Sequence, residues 1–299
     1  MTLQISLAPS DLDHVSHVLP HQLRVWAGQV DEILCVLDLK RSWGRFRRGR
    51  GGEHALRRAV DSACAAYPHA RSVVVDYGRR RRRQLASAFF GARSIPPKDF
   101  RGGPFYSYFF ALGAASHDFV FHTDSDVLFG GGSQSWIADG IRVLEEMPEM
   151  LVCSPLPGPP TADGRLRQQS GTIEPMGFPA VSFDHLTTRV FFVNRRSLLA
   201  LAPLPLKKKF PGRRNRVRAF VGRTSVYDLP ERLLSDAMKL HGLKRLNVLG
   251  PSPGMWTVHL EDRSPRLLRQ LPELVRRVET GDVPEGQRGY YDVQESMLT

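Results

Sequence analysis

Cysteine is scarce: Cys35, Cys64 and Cys153 are the only three in 299 residues, too few and odd in number for a disulfide-stapled scaffold. Each stands in an apolar stretch, which predicts buried free thiols in a reducing compartment. Long apolar runs are missing too. The greasiest segment, Phe105 to Phe121, is broken by Ser107, Ser116, His117 and Asp118, so no membrane span is expected. Residues 1–13 have neither a basic leader nor an apolar core, so no secretory signal is expected, and the cytoplasm is the expected compartment. Lysine is rare, 7 residues against 35 arginines.

What the chain does have is enough apolar residue, 41%, for one large domain or two small ones, and a net charge of +12. That charge is concentrated. Arg41 to Arg50 holds five arginines, Arg79 to Arg83 is five in a row, and Lys207 to Arg218 holds seven Lys/Arg, all without an acid. Outside these 17 residues, 25 basic side chains face 30 acidic ones, a net of −5. The pattern predicts a mildly acidic globule with three cationic loops, able to attract phosphates, nucleic acid or an anionic membrane to which the protein is peripheral.

Apolar spacing predicts strands at Gln4 to Ala8, Glu32 to Leu39, Ser72 to Tyr77 and Asp118 to His122, separated by helices from Asp11 to Ala27, Glu53 to Tyr67 and Gly103 to Ala115. Alternation at this interval indicates an α/β domain with a mostly parallel sheet, whose ligands bind beyond the carboxyl ends of the strands. Asp38, Asp76, Asp124 and Asp126 all fall at or just past predicted strand ends, so they are expected on one rim. Gly130-Gly131-Gly132 precedes no Gly-Lys-Ser/Thr, which excludes a P-loop and leaves a tight turn. Residues 155–179 are rich in Pro and Gly and read as irregular. Further helices are expected from Ser135 to Met147, from Pro230 to His241, and after Ser264-Pro265, with strands near 150–154, 189–193 and 245–249.

The most informative stretch is Asp118 to Phe129, DFVFHTDSDVLF. Carboxylates one residue apart in extended chain project to the same side. They repel unless a cation lies between them, and hard oxygen ligands suit Mg²⁺ or Mn²⁺. With these residues in view, the chain resembles the family-2 glycosyltransferases of the GT-A fold. The resemblance covers about residues 3 to 262 and rests on the order of Ala8-Pro9, Asp38, Gly102-Gly103, Asp124-Ser125-Asp126, Pro230-Glu231 through Gly242, and Trp256-Thr257-Val258-His259. It departs from the family where Pro230-Glu231-Arg232 replaces the usual acidic pair and Ser10-Asp11-Leu12 follows the first strand.

The resemblance implies a Rossmann-like GT-A domain over residues 1–262, with a nucleotide-binding half (1–127), an acceptor half (128–262) and a C-terminal helix and tail (263–299). It implies a metal on Asp124, Asp126 and His259, Glu231 as catalytic base with Asp236 second, and donor contacts from Ala8, Pro9, Asp38, Asp124 and Ser125. It also implies transfer with inversion from a nucleotide sugar, UDP-linked by preference, to a small-molecule, saccharide or lipid-linked acceptor. Arg213 and Arg214, just before the base helix, are expected to grip the donor diphosphate or an anionic acceptor. The rival readings are a haloacid-dehalogenase-type phosphatase, with Glu261-Asp262 as its late acidic pair, a sugar nucleotidyltransferase, and a nucleic-acid-binding protein. Few aromatics interleave the cationic segments and no recognition motif appears, so no nucleic-acid partner is expected.

Overall fold

The computed structural model describes residues 1–43 and 51–299; Arg45, Arg47, Arg48 and Arg50 of the first cationic segment lie outside the described residues. In chain order the elements are β1 (Thr2–Leu7), α1 (Leu12–Trp26), β2 (Glu32–Leu37), α2 (Glu53–Cys64), β3 (Ala70–Val74), α3 (Arg79–Phe90), α4 (Tyr106–Ala114), β4 (Phe119–Asp124), β5 (Val127–Gly130) and α5 (Trp136–Glu146). There follow β6 (Met150–Pro157), β7 (Thr172–Ile173), β8 (Ala180–Phe183), β9 (Val190–Asn194), α6 (Arg195–Ala200), α7 (Arg213–Val221), α8 (Pro230–Leu240), β10 (Lys244–Val248), β11 (Trp256–His259) and α9 (Pro265–Thr280).

The sheet runs β3-β2-β1-β4-β9-β6-β10-β8-β7, with β11 joining β5 to β6. β3, β2, β1 and β4 are mutually parallel, and so are β6 and β10. β9 lies antiparallel between β4 and β6, so the parallel strands on both sides of it share one carboxyl rim. This is the mostly parallel α/β sheet expected from the sequence.

Burial explains why these segments hold their places. Every residue of β2 and nearly every residue of β1 is buried, as interior parallel strands require. α1 inserts Val15, Val18, Leu19, Leu23 and Trp26. The Trp26 ring lies 4.5 Å from Phe121 and 5.0 Å from Phe129, so the first helix is welded to the strands on either side of Asp124-Ser125-Asp126. α4 is buried on nearly all sides, under the opposite face of the sheet. The glycine turn is used for close approach: a Cβ on Gly130 would stand 2.1 Å from the Trp256 ring, and one on Gly131 (φ +97°) would stand 2.5 Å from the Gly254 carbonyl.

Several expectations are corrected. Arg79 to Arg83 is not a loop but the start of α3, whose Leu85, Ala86, Phe89 and Phe90 are buried. Arg81 donates to the Gly113 carbonyl (2.7 Å) and Arg82 to that of Ile95 (2.9 Å), which anchors an otherwise charged first turn. Lys207 to Arg218 likewise runs into a helix, α7. The region 155–179 is not wholly irregular, since β6 continues to Pro157 and β7 pairs with β8. The three cysteines are free and buried.

One ion-pair cluster ties the sheet edge to α4. The carboxylate of Glu32 accepts from Thr2 Oγ1 (2.6 Å), Ser116 N (2.9 Å), Ser116 Oγ (2.8 Å) and Arg71 Nη2 (2.8 Å). Burial opposes its charge, but these donors prevail and hold its pKa down at about 2, from an ordinary 4.5. A depressed carboxylate pKa stabilises the fold above the unfolded value, and that stabilisation is lost as pH falls towards the folded value. Glu32→Gln is therefore expected to cost about 2–4 kcal/mol at neutral pH. Denaturant titration should show the gap between wild type and variant closing as pH falls from 4.5 towards 2; a gap independent of pH contradicts this account.

Candidate active site

β4 delivers the central acids. The strand ends at Asp124, whose N–H donates to the Arg189 carbonyl (2.8 Å), and β5 resumes at Val127. α1 braces the turn between them: Gln22 Nε2 donates to the carbonyls of Asp124 (2.9 Å) and Val127 (2.8 Å), and His14 Nε2 lies 3.2 Å from Ser125 Oγ. Ser125 is thus buried against the helix rather than turned to the cleft.

β11 brings the histidine. It pairs antiparallel with β5, setting His259 opposite Val127, the residue next to Asp126. His259 Nε2 lies 3.6 Å from Asp126 Oδ2, and its Nδ1 lies 2.6 Å from Asp292 Oδ1. Arg189 Nη1 also stands 3.0 Å from Nδ1, so that atom meets a donor and a carboxylate together, while Nε2 faces Asp126. The ring stacks on Tyr291 with centroids 5.5 Å apart.

Two arginines complete the cluster. Arg263 Nη2 is 2.5 Å from Asp126 Oδ2, and its Nη1 is 3.2 Å from Asp11 Oδ1. Asp11 also accepts from the Ala8 amide (2.8 Å), so Arg263 links the Ala8-Pro9 loop after β1 to Asp126. Arg189 Nη1 stands 3.9 Å from Asp292 Oδ1, and its charge acts on Asp124 and Asp126 as well.

These contacts set the charge states. Burial raises the pKa of Asp124, with His122 and Arg189 opposing. Burial also penalises the Asp126 carboxylate, yet His259 and Arg263 hold its pKa well below the usual range. For His259 burial favours the neutral ring, but Asp126 and Asp292 overcome it and raise the pKa.

One buried oxygen of the cluster is open to a divalent cation. Asp126 Oδ1 is buried without a hydrogen-bond partner, whereas Oδ2, 3.6 Å from His259 Nε2, already carries Arg263 Nη2 at 2.5 Å, which a cation bound between them would have to displace. An imidazole beside carboxylate oxygen suits Mn²⁺ better than Mg²⁺, which prefers oxygen alone. Among the described residues no three His, Cys, Asp or Glu side chains form a ready cage.

The two candidate bases separate. Glu231, in the first turn of α8, accepts from the Thr188 amide (3.3 Å), one residue from Arg189, and its charge reaches the buried Tyr108 together with that of Asp124. Asp236 turns away to Lys207 Nζ (2.6 Å). On the nucleotide side, Asp38 follows β2 but is bound to Lys98 Nζ (2.7 Å) and Tyr77 Oη (3.0 Å). Asp76 caps its own turn at Gly78 N (2.6 Å). Arg213 and Arg214 sit exposed on α7, and none of the contacts described for Asp124 or Asp126 involves them. Glu261 and Asp262 are exposed, and Asp262 Oδ1 accepts from the amide of Ser264, the N-cap of α9 (2.9 Å).

Sequence reasoning missed Asp11, Arg189, Arg263 and Asp292. Arg263 had a usable signal, four residues after His259; Asp292 had none.

No protein-family model matches the sequence, and no curated protein matches it. Some solved structures are distantly similar to it. GalNAc-T7, solved with UDP, GalNAc and Mn²⁺, is 12% identical over 91% of this chain, at a TM-score of 0.48. This chain spans 47% of it, about half its length. 4-Diphosphocytidyl-2C-methyl-D-erythritol synthase from Anaerococcus prevotii is 12% identical over 92% of this chain and 98% of its own, at 0.45. TarS from S. aureus, solved with UDP-GlcNAc, is 12% identical over 92% of this chain and 64% of its own, also at 0.45. These are likenesses of fold.

Proposed function

We propose that this chain is a metal-dependent inverting glycosyltransferase that moves a sugar from a nucleotide sugar, UDP-linked by preference, to an acceptor hydroxyl. The observation that carries this reading is the meeting of Asp126 with an Asp292-oriented His259 on the carboxyl rim, joined through Arg263 and Asp11 to the loop after β1. In a sheet wound this way, that rim is where nucleotides bind.

Asp126 and His259, with Asp124 beside them, would hold Mn²⁺ or Mg²⁺, which supplies neutralisation of the departing diphosphate. Arg263 and Arg189 bring two fixed positive charges to the same place. Ala8 and Pro9 line the nucleotide loop, and Asp38, fixed by Lys98 and Tyr77, forms the wall at the end of β2. Glu231 takes the proton of the acceptor hydroxyl as its oxygen attacks the anomeric carbon and the bond to the diphosphate breaks. One carboxylate on the face opposite the leaving group is sufficient for inversion.

A thermal-denaturation panel of nucleotide sugars with Mn²⁺ tests the reading. A UDP-sugar at 100 times its dissociation constant should add about 2.7 kcal/mol to stability. A panel in which no nucleoside diphosphate or its sugar moves the transition contradicts the proposal.

A further inference from the structure

One helix of the molecule, α7, presents large apolar side chains to solvent. Among the described residues six large apolar side chains stand exposed, and four of them, Phe210, Val217, Phe220 and Val221, fall on α7 or the turn leading into it. Phe220 is 84% exposed, Val221 76% and Val217 62%. At 100° per residue these three share one side of the helix, whereas Asn215 and Ala219, which are less exposed, share the other. The helix therefore turns Val217, Phe220 and Val221 outward, with Arg213 and Arg214 on the same side, and Asn215 and Ala219 the other way.

The mounting of the segment keeps it that way. Lys208 bridges to Tyr227, Lys209 N donates to the Val226 carbonyl (2.8 Å), the Phe210 ring meets Phe100 edge-on at 5.4 Å, and Arg223 lies over Trp43 at 4.7 Å. These ties hold both ends of the segment against residues 99–101 and Trp43. Between them, Lys207 to Arg223 carries eight basic residues and no acid.

We infer that α7 docks on an anionic lipid bilayer, with Val217, Phe220 and Val221 entering the headgroup–acyl boundary and the flanking Lys208, Lys209, Arg213, Arg214 and Arg216 meeting lipid phosphates. Charge complementarity combined with an outward apolar ridge selects this occupant. A nucleic acid would reward the charges but gain little from two valines and a phenylalanine, and an acidic bilayer rewards both. The inference does not depend on the transferase reading, since it uses no residue of the Asp126–His259 cluster.

The test uses the full chain with vesicles of phosphatidylcholine alone and of phosphatidylcholine mixed with phosphatidylglycerol. The protein should sediment with the mixed vesicles only and be released by salt. Phe220→Ser with Val221→Ser should weaken binding more than about tenfold, and Lys208→Ser with Lys209→Ser and Arg216→Ser should weaken it by at least as much. All of these side chains are exposed, so folding is unaffected by their loss. A Phe220→Trp probe should shift its emission to the blue on mixed vesicles and be quenched by brominated acyl chains. Three results overturn the inference: equal sedimentation with neutral vesicles, binding that survives loss of Phe220 and Val221, or a blue shift produced by UDP with Mn²⁺ or by DNA but not by lipid. The UDP result would mean that α7 closes on the cleft of its own chain.

Discussion

Glu231→Gln is expected to lower turnover by about 10²–10⁴-fold while leaving UDP and Mn²⁺ affinity unchanged. The variant keeps the size of the side chain and its ability to accept from the Thr188 amide, and removes only the basicity. α8 starts at Pro230, so Glu231 stands in its first turn. It accepts from the amide of Thr188, whose neighbour Arg189 pairs through its carbonyl with Asp124. Asp236, held by Lys207 at 2.6 Å, should tolerate replacement by Asn with little loss of turnover. Steady-state rates of both variants decide the matter; loss in Asp236→Asn with an active Glu231→Gln would transfer the role to Asp236.

The second large effect is expected from Asp126→Asn. Asp126 is the carboxylate on which His259 and Arg263 both converge, and their contacts hold its pKa down despite burial. The amide weakens the link to Arg263 and His259, which keep their contacts with Asp11 and Asp292, and removes the hard anionic oxygen. Loss of several kcal/mol of transition-state stabilisation corresponds to about 10³-fold or more in transfer. Mn²⁺ binding, followed by its electron paramagnetic resonance signal, should disappear in the same variant. His259→Gln should weaken the ion less, because Asp126 remains. A variant that binds Mn²⁺ like the wild type would remove Asp126 from the metal site.

Much of this was legible in the sequence because it is local. The apolar run into Asp124, the helix stripe from Val15 to Trp26, and the glycine turn at 130–132 each report on residues within a few positions of one another. The failures have a common cause. A run of five arginines looks like a solvated loop, but arginine is a good helix former, and the burial of Leu85, Phe89 and Phe90 decides the outcome from the other end of the helix. Asp38 was readable as a strand-end acid, yet its partners Lys98 and Tyr77 lie 60 and 39 residues away, so its engagement was not. Asp292 reaches His259 from 33 residues downstream, through a tail that periodicity marks only as an appendage. Long-range pairing of charges is fixed by the tertiary path, on which single-sequence patterns are silent.

The central claim is that the rim bearing Asp124, Asp126 and His259 is a cation-assisted nucleoside-diphosphate site. Calorimetric titration of UDP into the protein with Mn²⁺ and with a chelator tests it most directly. The account predicts tight binding with Mn²⁺, at least about tenfold weaker binding without it, and no difference between the two conditions in Asp126→Asn. Equal UDP affinity with and without the ion in the wild-type chain, or Mn²⁺-dependent affinity that persists in Asp126→Asn, would contradict it.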